Sequence, residues 1–237
     1  MRKSMNMWAL LCGVAAALVA GASFAAEGNA EKGKAIFTGG KGDAVTACMT
    51  CHGDKGQGSD DMGAPRLAGQ GTAYIVKQLT DFANDKRIPT GLGAVMPGFA
   101  KALTEQERED VAAFVHSLKG EELSNLKTIT SIKVGEPYLG QVIAKFGVKD
   151  KVSACQSCHG YNGRGAAPIF PMIGRQRYVY LVNQLKSWRD GSRANDPAGM
   201  MRAIAKNLSD DDINNVAAFL ATADATTQGN HQTPSQD

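Results

Sequence analysis

The chain has 237 residues, of which 43% are hydrophobic, 21% charged and 6% aromatic, and its formal net charge is +3. This length is typical of one or two globular domains, and the charged fraction excludes a disordered polyampholyte. A small net charge without a dense Lys/Arg cluster excludes nucleic acid as a partner. The few aromatic residues are a thin supply for two cores, so we expect another group to fill part of each core.

The N-terminus predicts a cleaved secretory signal peptide over residues 1–25. Two basic residues are the only charges before Glu27, and an apolar stretch over 7–20 follows them. Ser23 and Ala25 then stand in the small-x-small arrangement that signal peptidase recognises. A retained membrane anchor is the alternative, although the apolar part is short for a span of about 20 residues. Cleavage removes one of the five cysteines. A signal peptide of this kind predicts a periplasmic protein.

The remaining sequence contains an internal repeat. Two Cys-x-x-Cys-His motifs, at residues 48–52 and 155–159, lie 107 residues apart. A period near 100 residues is the size of a small domain and far too long for a solenoid unit. Other pairs recur at almost the same spacing: Gly33 and Gly140, Pro65 and Pro171, Gln70 and Gln176, Tyr74 and Tyr180, Gln78 and Gln184, and Arg87 and Arg193.

The repeat predicts two homologous all-α domains. Apolar residues recur at helical spacing in both halves, and no useful alternating strand pattern occurs. Thr104 with Glu107, and Ser209 with Asp212, are the capping signals of the last helix of each half. The predicted segments are domain 1 over 26–118, a linker over 119–135, domain 2 over 136–223 and a disordered tail over 224–237. The predicted helices are 31–37, 72–84, 138–146, 178–190 and one after each capping signal.

Both Cys-x-x-Cys-His motifs indicate covalent haem. Two thiols three positions apart on a helical turn share one face, where they can bond the two vinyl groups of a porphyrin, and the adjacent histidine can bind the iron. We therefore predict two haem c groups as cofactors. The predicted thioether cysteines and axial histidines are Cys48, Cys51, His52, Cys155, Cys158 and His159.

Three other uses of the cysteine pairs fit the sequence less well. A zinc ribbon normally separates its two pairs by about 15–20 residues, and here 103 residues intervene. Thioredoxin-like redox chemistry needs a βαβ context that the helical patterns do not provide. Structural disulfides leave both histidines unexplained. Covalent haem also agrees with export, because this attachment occurs outside the cytoplasm.

Methionine is the predicted second axial ligand of each iron. Met96 lies seven residues before Leu103, and Met201 lies seven residues before Leu208, so the two occupy equivalent positions in the repeat. A ligand must occur in both halves, which selects this pair. We expect Met96 to lie on a loop between helices. Four other candidates are less favoured, either because of their place in the chain or because the other half has no equivalent residue. They are Met62, His116, Met172 and Met200.

Proline carbonyls are candidates to orient the histidines. Pro65 and Pro171 follow the two histidines by 13 and 12 residues. A carbonyl there can accept a hydrogen bond from the second ring nitrogen. On spacing alone, prolines that only shape a loop fit equally well. Five side chains are candidates either for contact with haem propionates or for ordinary packing and surface roles: Tyr74, Arg87, Tyr180, Trp188 and Arg193.

The sequence resembles the dihaem cytochrome c4 family. The resemblance rests on both cysteine motifs, on Pro-Arg-Leu-Ala-Gly-Gln at 65–70 and on Asp-Pro-Ala-Gly-Met-Met at 196–201, and it covers essentially the whole mature chain. It implies two class I cytochrome c folds related by a pseudo-twofold. It further implies His/Met ligation, propionates facing across the domain interface, and a carbonyl role for Pro65 and Pro171.

Electron transfer is the predicted function. A haem with both axial positions filled rearranges little on gaining an electron, which favours transfer over catalysis. We expect a monomeric, periplasmic shuttle between a quinol-oxidising complex or dehydrogenase and a terminal oxidase. The resemblance also implies peripheral association with the membrane. The alternatives are a cytochrome subunit of a sulfide, thiosulfate or alcohol dehydrogenase, and a dihaem redox enzyme, for which the mature chain has no extra cysteine.

Overall fold

The computed structural model describes residues 28–120 and 122–224. The predicted signal peptide lies outside these residues, as does the predicted tail beyond residue 224. The described residues form α-helices, short 3₁₀ turns and isolated β-bridges, and they contain no β-strand. The predicted all-α fold class is therefore confirmed. None of the described helices is long and apolar enough to cross a bilayer.

The helices follow the same order in both halves. The first half contains α1 (Ala30–Gly39), α2 (Met49–His52), α3 (Thr72–Ala83), α4 (Met96–Ala102) and α5 (Glu105–Ser117). The second half contains α6 (Pro137–Phe146), α7 (Gln156–His159), α8 (Tyr178–Asp190), α9 (Met200–Ala205) and α10 (Asp210–Thr222). Further 3₁₀ turns occur at Gly91–Val95, Leu126–Thr128, Tyr161–Gly163 and Pro197–Gly199.

Local signals fix the ends of the long helices. The Thr104 side chain accepts a hydrogen bond from the Glu107 backbone, and the Glu107 carboxylate accepts one from the Thr104 backbone. Ser209 and Asp212 form the same reciprocal pair at the start of α10. Each capping box satisfies two amide groups that a helix N-terminus otherwise leaves unpaired. Both predicted capping signals are confirmed.

Glycine lets the first and last helix of each half touch. α1 packs on α5, and α6 packs on α10. A Cβ atom at Gly33 would lie closer than 3.0 Å to the backbone of Asp110, and one at Gly140 would lie equally close to the backbone of Asn215. Only glycine allows the two backbones this approach. The matched glycines of the repeat therefore mark two equivalent helix crossings.

Each half has its own hydrophobic core. The core of the first half contains Phe37, Ile75, Leu79, Phe82, Ala100, Val111, Ala112 and Val115. The core of the second half contains Ile143, Ala144, Val152, Tyr178, Val179, Leu181, Val182, Leu208, Ile213, Val216, Ala217, Ala218, Leu220 and Ala221. Cys48 and Cys155 pack against the first and second core respectively. The cysteine motifs are thus set into the cores and not on separate loops.

Residues 122–135 of the predicted linker pack onto the second half. Its apolar side chains Leu126, Ile129, Ile132 and Val134 contact the second core. The hydroxyl of Tyr178 donates a hydrogen bond to the carbonyl of Lys133 (2.7 Å) and accepts one from the amide of Gly135 (3.2 Å). Residues 122–135 therefore lead into the second half as a packed segment that hydrogen bonds to Tyr178 of α8 hold in place.

Candidate functional site

Both Cys-x-x-Cys-His motifs form a short helical turn. α2 and α7 each begin directly after the first cysteine of their motif and end at the histidine. Gly53 and Gly160 follow with φ of 80° and 73°, a conformation that favours glycine and stops each turn. The four cysteines are free thiols. Each turn thus carries two thiols and an imidazole within five consecutive residues.

One hydrogen bond fixes each imidazole. Nδ1 of His52 lies 2.9 Å from the carbonyl oxygen of Pro65, and Nδ1 of His159 lies 2.8 Å from that of Pro171. A carbonyl oxygen can only accept, so Nδ1 carries the proton and Nε2 keeps its lone pair for a metal. Both histidines are only 7% exposed, and burial lowers the pKa of each ring more than the hydrogen bond raises it. Both rings are therefore neutral, as metal binding requires.

Burial also keeps the first thiol of each motif protonated. It raises the pKa of Cys48 and of Cys155 to about 11. A thioether forms when the S–H bond of a thiol adds across a vinyl group, the sulfur bonding one carbon and the hydrogen the other. The structure holds these two thiols on the same turn as their histidines, where one porphyrin can meet both groups.

The predicted methionine ligands lie at helix starts and not on loops. Met96 is the first residue of α4 and Met201 the second residue of α9. The prediction that Met96 lies on a loop is wrong. Pro97 stands in the first turn of α4, where a proline favours a helix and does not interrupt it. Met96 is half-buried and contacts the first core, and Met201 is half-buried at the equivalent position.

The structure places the other candidate ligands elsewhere. Met62 is 37% exposed and Met200 is 39% exposed. His116 is an exposed residue whose Nδ1 lies 2.9 Å from the carbonyl oxygen of Gln70. The backbone of Met172 forms two hydrogen bonds with the Gln70 side chain. None of these four residues has an equivalent partner in the other half, as a shared ligand would.

Two buried arginines meet between the halves. Arg87 and Arg193 occupy matched positions, and each guanidinium lies over an aromatic ring of its own half. The Cζ atom of Arg87 is 4.6 Å from the ring centre of Phe82, and that of Arg193 is 4.1 Å from the ring centre of Trp188. Such stacking stabilises a cation that is removed from water.

Hydrogen bonds of these arginines cross the boundary between the halves. Arg87 donates to Gln78 (2.8 Å), to Tyr180 (3.0 Å) and to Gln184 (2.9 Å). Arg193 donates to Gln184 (2.6 Å) and to Gln78 (3.0 Å). Desolvation alone would raise the pKa of the Tyr180 hydroxyl, but the two positive charges outweigh it and lower this pKa. A second, longer tyrosine contact joins Arg193 to the hydroxyl of Tyr74 (3.4 Å).

This cluster fits an anionic group. Neither arginine forms an ion pair with a carboxylate of the described residues. Two buried positive charges without counter-charges are unfavourable unless an anion joins them. Haem propionates are such anions, so the residues present fit the predicted cofactor. Within residues 28–120 and 122–224, no three His, Cys, Asp or Glu side chains converge to hold a metal ion by themselves.

Two functional side chains have a role that the sequence did not indicate. Gln70 and Gln176 are matched in the repeat, and both are buried between the halves. Each binds the backbone of the residue that follows the proline of the opposite half. In the sequence, the one sign of this role is that both glutamines recur at the same spacing as Pro65 and Pro171 without belonging to a hydrophobic pattern. Their partners depend on how the two halves pack.

Comparison with known proteins agrees with this geometry. The model of the Cytochrome c family matches residues 30–119 and 149–224. A protein named thiosulfate dehydrogenase electron acceptor, from Stutzerimonas stutzeri (strain A1501), is 34% identical over 89% of this chain and 93% of its own length. A cytochrome c4 from Stutzerimonas stutzeri is 35% identical over 82% of this chain and 89% of its own length.

A solved structure extends the comparison to the fold. The crystal structure of reduced recombinant cytochrome c4 from Pseudomonas stutzeri superposes with a TM-score of 0.67, at 32% identity, over 83% of this chain and all of that one. Relatives with these names are electron carriers and not enzymes. Two cytochrome c domains and two matched cysteine–histidine turns account for two covalent haem c groups. This chain therefore belongs to the dihaem cytochrome c4 family.

Proposed function

We propose that the protein is a periplasmic carrier that takes electrons from a respiratory donor and passes them to a terminal oxidase. The observation that carries the proposal is the equivalence of the two sites. In each, a buried neutral imidazole is locked through Nδ1 by a proline carbonyl, which leaves Nε2 for iron. When bound, each haem supplies an iron that gains and loses one electron.

We assign the iron ligands as His52 with Met96 in the first half and His159 with Met201 in the second. The methionines occupy equivalent helix starts, which supports a shared role. Thioether sulfur is a soft, neutral ligand that favours ferrous iron and raises the reduction potential relative to a second histidine. One histidine and one methionine would together leave neither iron a position for a substrate. This arrangement suits transfer of electrons and not catalysis.

Arg87 and Arg193 are the groups that we assign to the propionates. Their guanidinium groups point into one buried, polar region that both halves share. Fixed positive charge there stabilises the propionates and disfavours loss of an electron. The two arginines would then give both sites one common electrostatic environment.

A second candidate donor has its own support. Curated relatives at 34% identity, from Stutzerimonas stutzeri and Thiomonas intermedia, are named thiosulfate dehydrogenase electron acceptor. A chain of this family can therefore accept electrons from a dehydrogenase instead of a quinol-oxidising complex. In that case the protein accepts electrons from the dehydrogenase and still delivers them to an oxidase.

Reconstitution separates the two donors. The oxidised protein is mixed either with a quinol-oxidising complex and quinol, or with a thiosulfate dehydrogenase and thiosulfate, and haem reduction is followed by absorbance. The carrier proposal predicts reduction by the quinol system and reoxidation by oxidase-containing membranes. Faster reduction by the dehydrogenase supports the second candidate. Reduction by neither system, or turnover of thiosulfate by the cytochrome alone, contradicts the proposal.

Export and association state are part of the same proposal. Residues 1–25 have the charge and apolar pattern of a signal peptide, and attachment of haem c requires export. The mass of the protein isolated from the periplasm should equal that of a chain lacking about 25 residues plus two covalently bound haem groups. Sedimentation should give a monomer. A full-length mass found only in membranes would instead indicate a retained anchor.

A further inference from the structure

One peptide group in each half bonds both the histidine of its own half and a glutamine of the opposite half. In the first half, the carbonyl of Pro65 accepts from His52, and the N–H of the same peptide group, on Arg66, donates to Oε1 of Gln176 at 2.6 Å. In the second half, the carbonyl of Pro171 accepts from His159. The N–H of that peptide group, on Met172, donates to Oε1 of Gln70 at 2.9 Å.

Each glutamine pairs with both polar backbone groups of one residue. Nε2 of Gln176 donates to the carbonyl of Arg66 (3.0 Å), and Nε2 of Gln70 donates to the carbonyl of Met172 (2.9 Å). Each Oε1 accepts a second backbone N–H, from Arg177 in one case and Gly71 in the other. Rotating either amide by half a turn would set its NH₂ group against two N–H donors. The orientation of both amides is therefore fixed by their surroundings.

Burial makes these bonds strong and specific. Gln70 is 4% exposed and Gln176 is 6% exposed, so water does not compete for the peptide groups. A peptide whose N–H donates to an acceptor has a more negative carbonyl oxygen, because hydrogen bonds in a chain polarise one another. The proline carbonyl then binds the Nδ1–H group of the histidine more strongly. This makes Nε2 a better donor to iron and stabilises the ferric state.

We propose that Gln70 and Gln176 are positioning residues that set, crosswise, the reduction potential of the haem in the opposite half. Gln176 acts on the site of His52 through the Pro65–Arg66 peptide, and Gln70 acts on the site of His159 through the Pro171–Met172 peptide. The inference rests on the proposed function, because it takes both histidines as axial ligands. It adds that the reduction potential of each haem depends on the packing of the two halves against each other.

Replacement of each glutamine by methionine tests the crossed pattern. Methionine has a similar length but offers no comparable acceptor. Gln176→Met is expected to raise the potential of the haem bound at Cys48 and Cys51 and leave the other unchanged. Gln70→Met is expected to raise the potential of the haem bound at Cys155 and Cys158 and to leave that of the first haem unchanged. Redox titration followed by proton NMR separates the two haems through their hyperfine-shifted methyl resonances.

Two further variants keep the test decisive. Gln176→Glu retains an acceptor oxygen for the Arg66 amide, so it should not raise the potential of the first haem, even where Gln176→Met does not fold. Gln106→Leu is the matched control, because this exposed glutamine lies in α5 and its side chain donates to Asp110 of the same helix. It should shift neither haem.

The outcomes distinguish this inference from the proposed function. An equal shift of both haems, a shift confined to the haem of the mutated half, or no shift would overturn the crossed role. Those results would leave the carrier proposal intact if the wild-type protein holds two reducible haems with methionine–iron bands. A wild-type protein without those bands would contradict the ligand assignment itself.

Discussion

The orientation of each motif histidine depends on a backbone atom and not on a side chain. His52 and His159 receive their orientation from carbonyl oxygens, which every residue type possesses. The proline ring at each position contributes only a fixed φ and the lack of an N–H. The hydrogen bond and the shape of the loop are therefore separable roles of Pro65 and Pro171.

Replacing either proline by alanine separates these roles. Pro65→Ala and Pro171→Ala keep the carbonyl, so the haem absorption spectrum and the histidine ligation should not change. The greater freedom of the unfolded chain should lower the free energy of unfolding by about 0.4–1 kcal/mol. Absorption spectroscopy and chemical denaturation measure the two effects. Loss of histidine ligation in either variant would mean that the ring, and not the carbonyl, holds the loop.

Helix pairs position the haem-binding turns at the next larger scale. α5 accepts a hydrogen bond from the amide of Asn29 through Asp110 (2.7 Å), and α10 accepts one from the amide of Glu136 through Asn215 (2.8 Å). These bonds fasten the start of the first helix of each half to the last helix. The close crossing beside each bond requires glycine.

A methyl group at either crossing should separate the helices. Gly33→Ala and Gly140→Ala place a carbon against backbone, which cannot move aside as a flexible side chain can. The free energy of unfolding is expected to fall by about 1–3 kcal/mol. Chemical denaturation followed by haem absorbance measures it. The control is Gly39→Ala in the same helix, α1, because a Cβ atom at Gly39 would have no other atom within 4 Å. Alanine there should raise the free energy of unfolding by up to about 1 kcal/mol. A loss in the control equal to that of Gly33→Ala would contradict the account.

At the scale of the whole molecule, the two halves share a buried positive region. Arg87 and Arg193 contribute one charge each, and the polar partners of both come from both halves. Near a redox centre, positive charge favours the reduced state, because reduction adds negative charge. We therefore expect the interface to influence the reduction potentials of both haem sites, in addition to packing the two halves together.

Removing these charges should lower both reduction potentials. Arg87→Gln and Arg193→Gln are each expected to cost roughly 1 kcal/mol of reduction free energy, about 40 mV for a one-electron couple. Arg189→Gln is the control, since that arginine pairs with Asp210 at the surface. Spectroelectrochemical titration gives the potentials. Unchanged potentials in both interface variants, or an equal change in the control, would contradict the assignment of the arginines to the propionates.

The sequence predicted the features that repeat or that local signals encode. Both capping boxes, the long helices and the two haem-binding motifs depend on residues close together in the chain. The short helix at Met96 was missed, because Pro97 suits a helix start as well as a loop. The roles of Gln70 and Gln176 were missed for a different reason. Their partners lie 102 and 110 residues away, and only the packing of the two halves brings them together.

The methionine–iron charge-transfer band in the near-infrared spectrum of the oxidised protein tests the central claim most directly. Two haems with His/Met ligation should both contribute to this band. Met96→Ala and Met201→Ala should each remove one haem's share, while the control Met62→Ala, at an exposed residue, should leave the band intact. An unchanged band in Met96→Ala or Met201→Ala would contradict the ligand assignment for that haem.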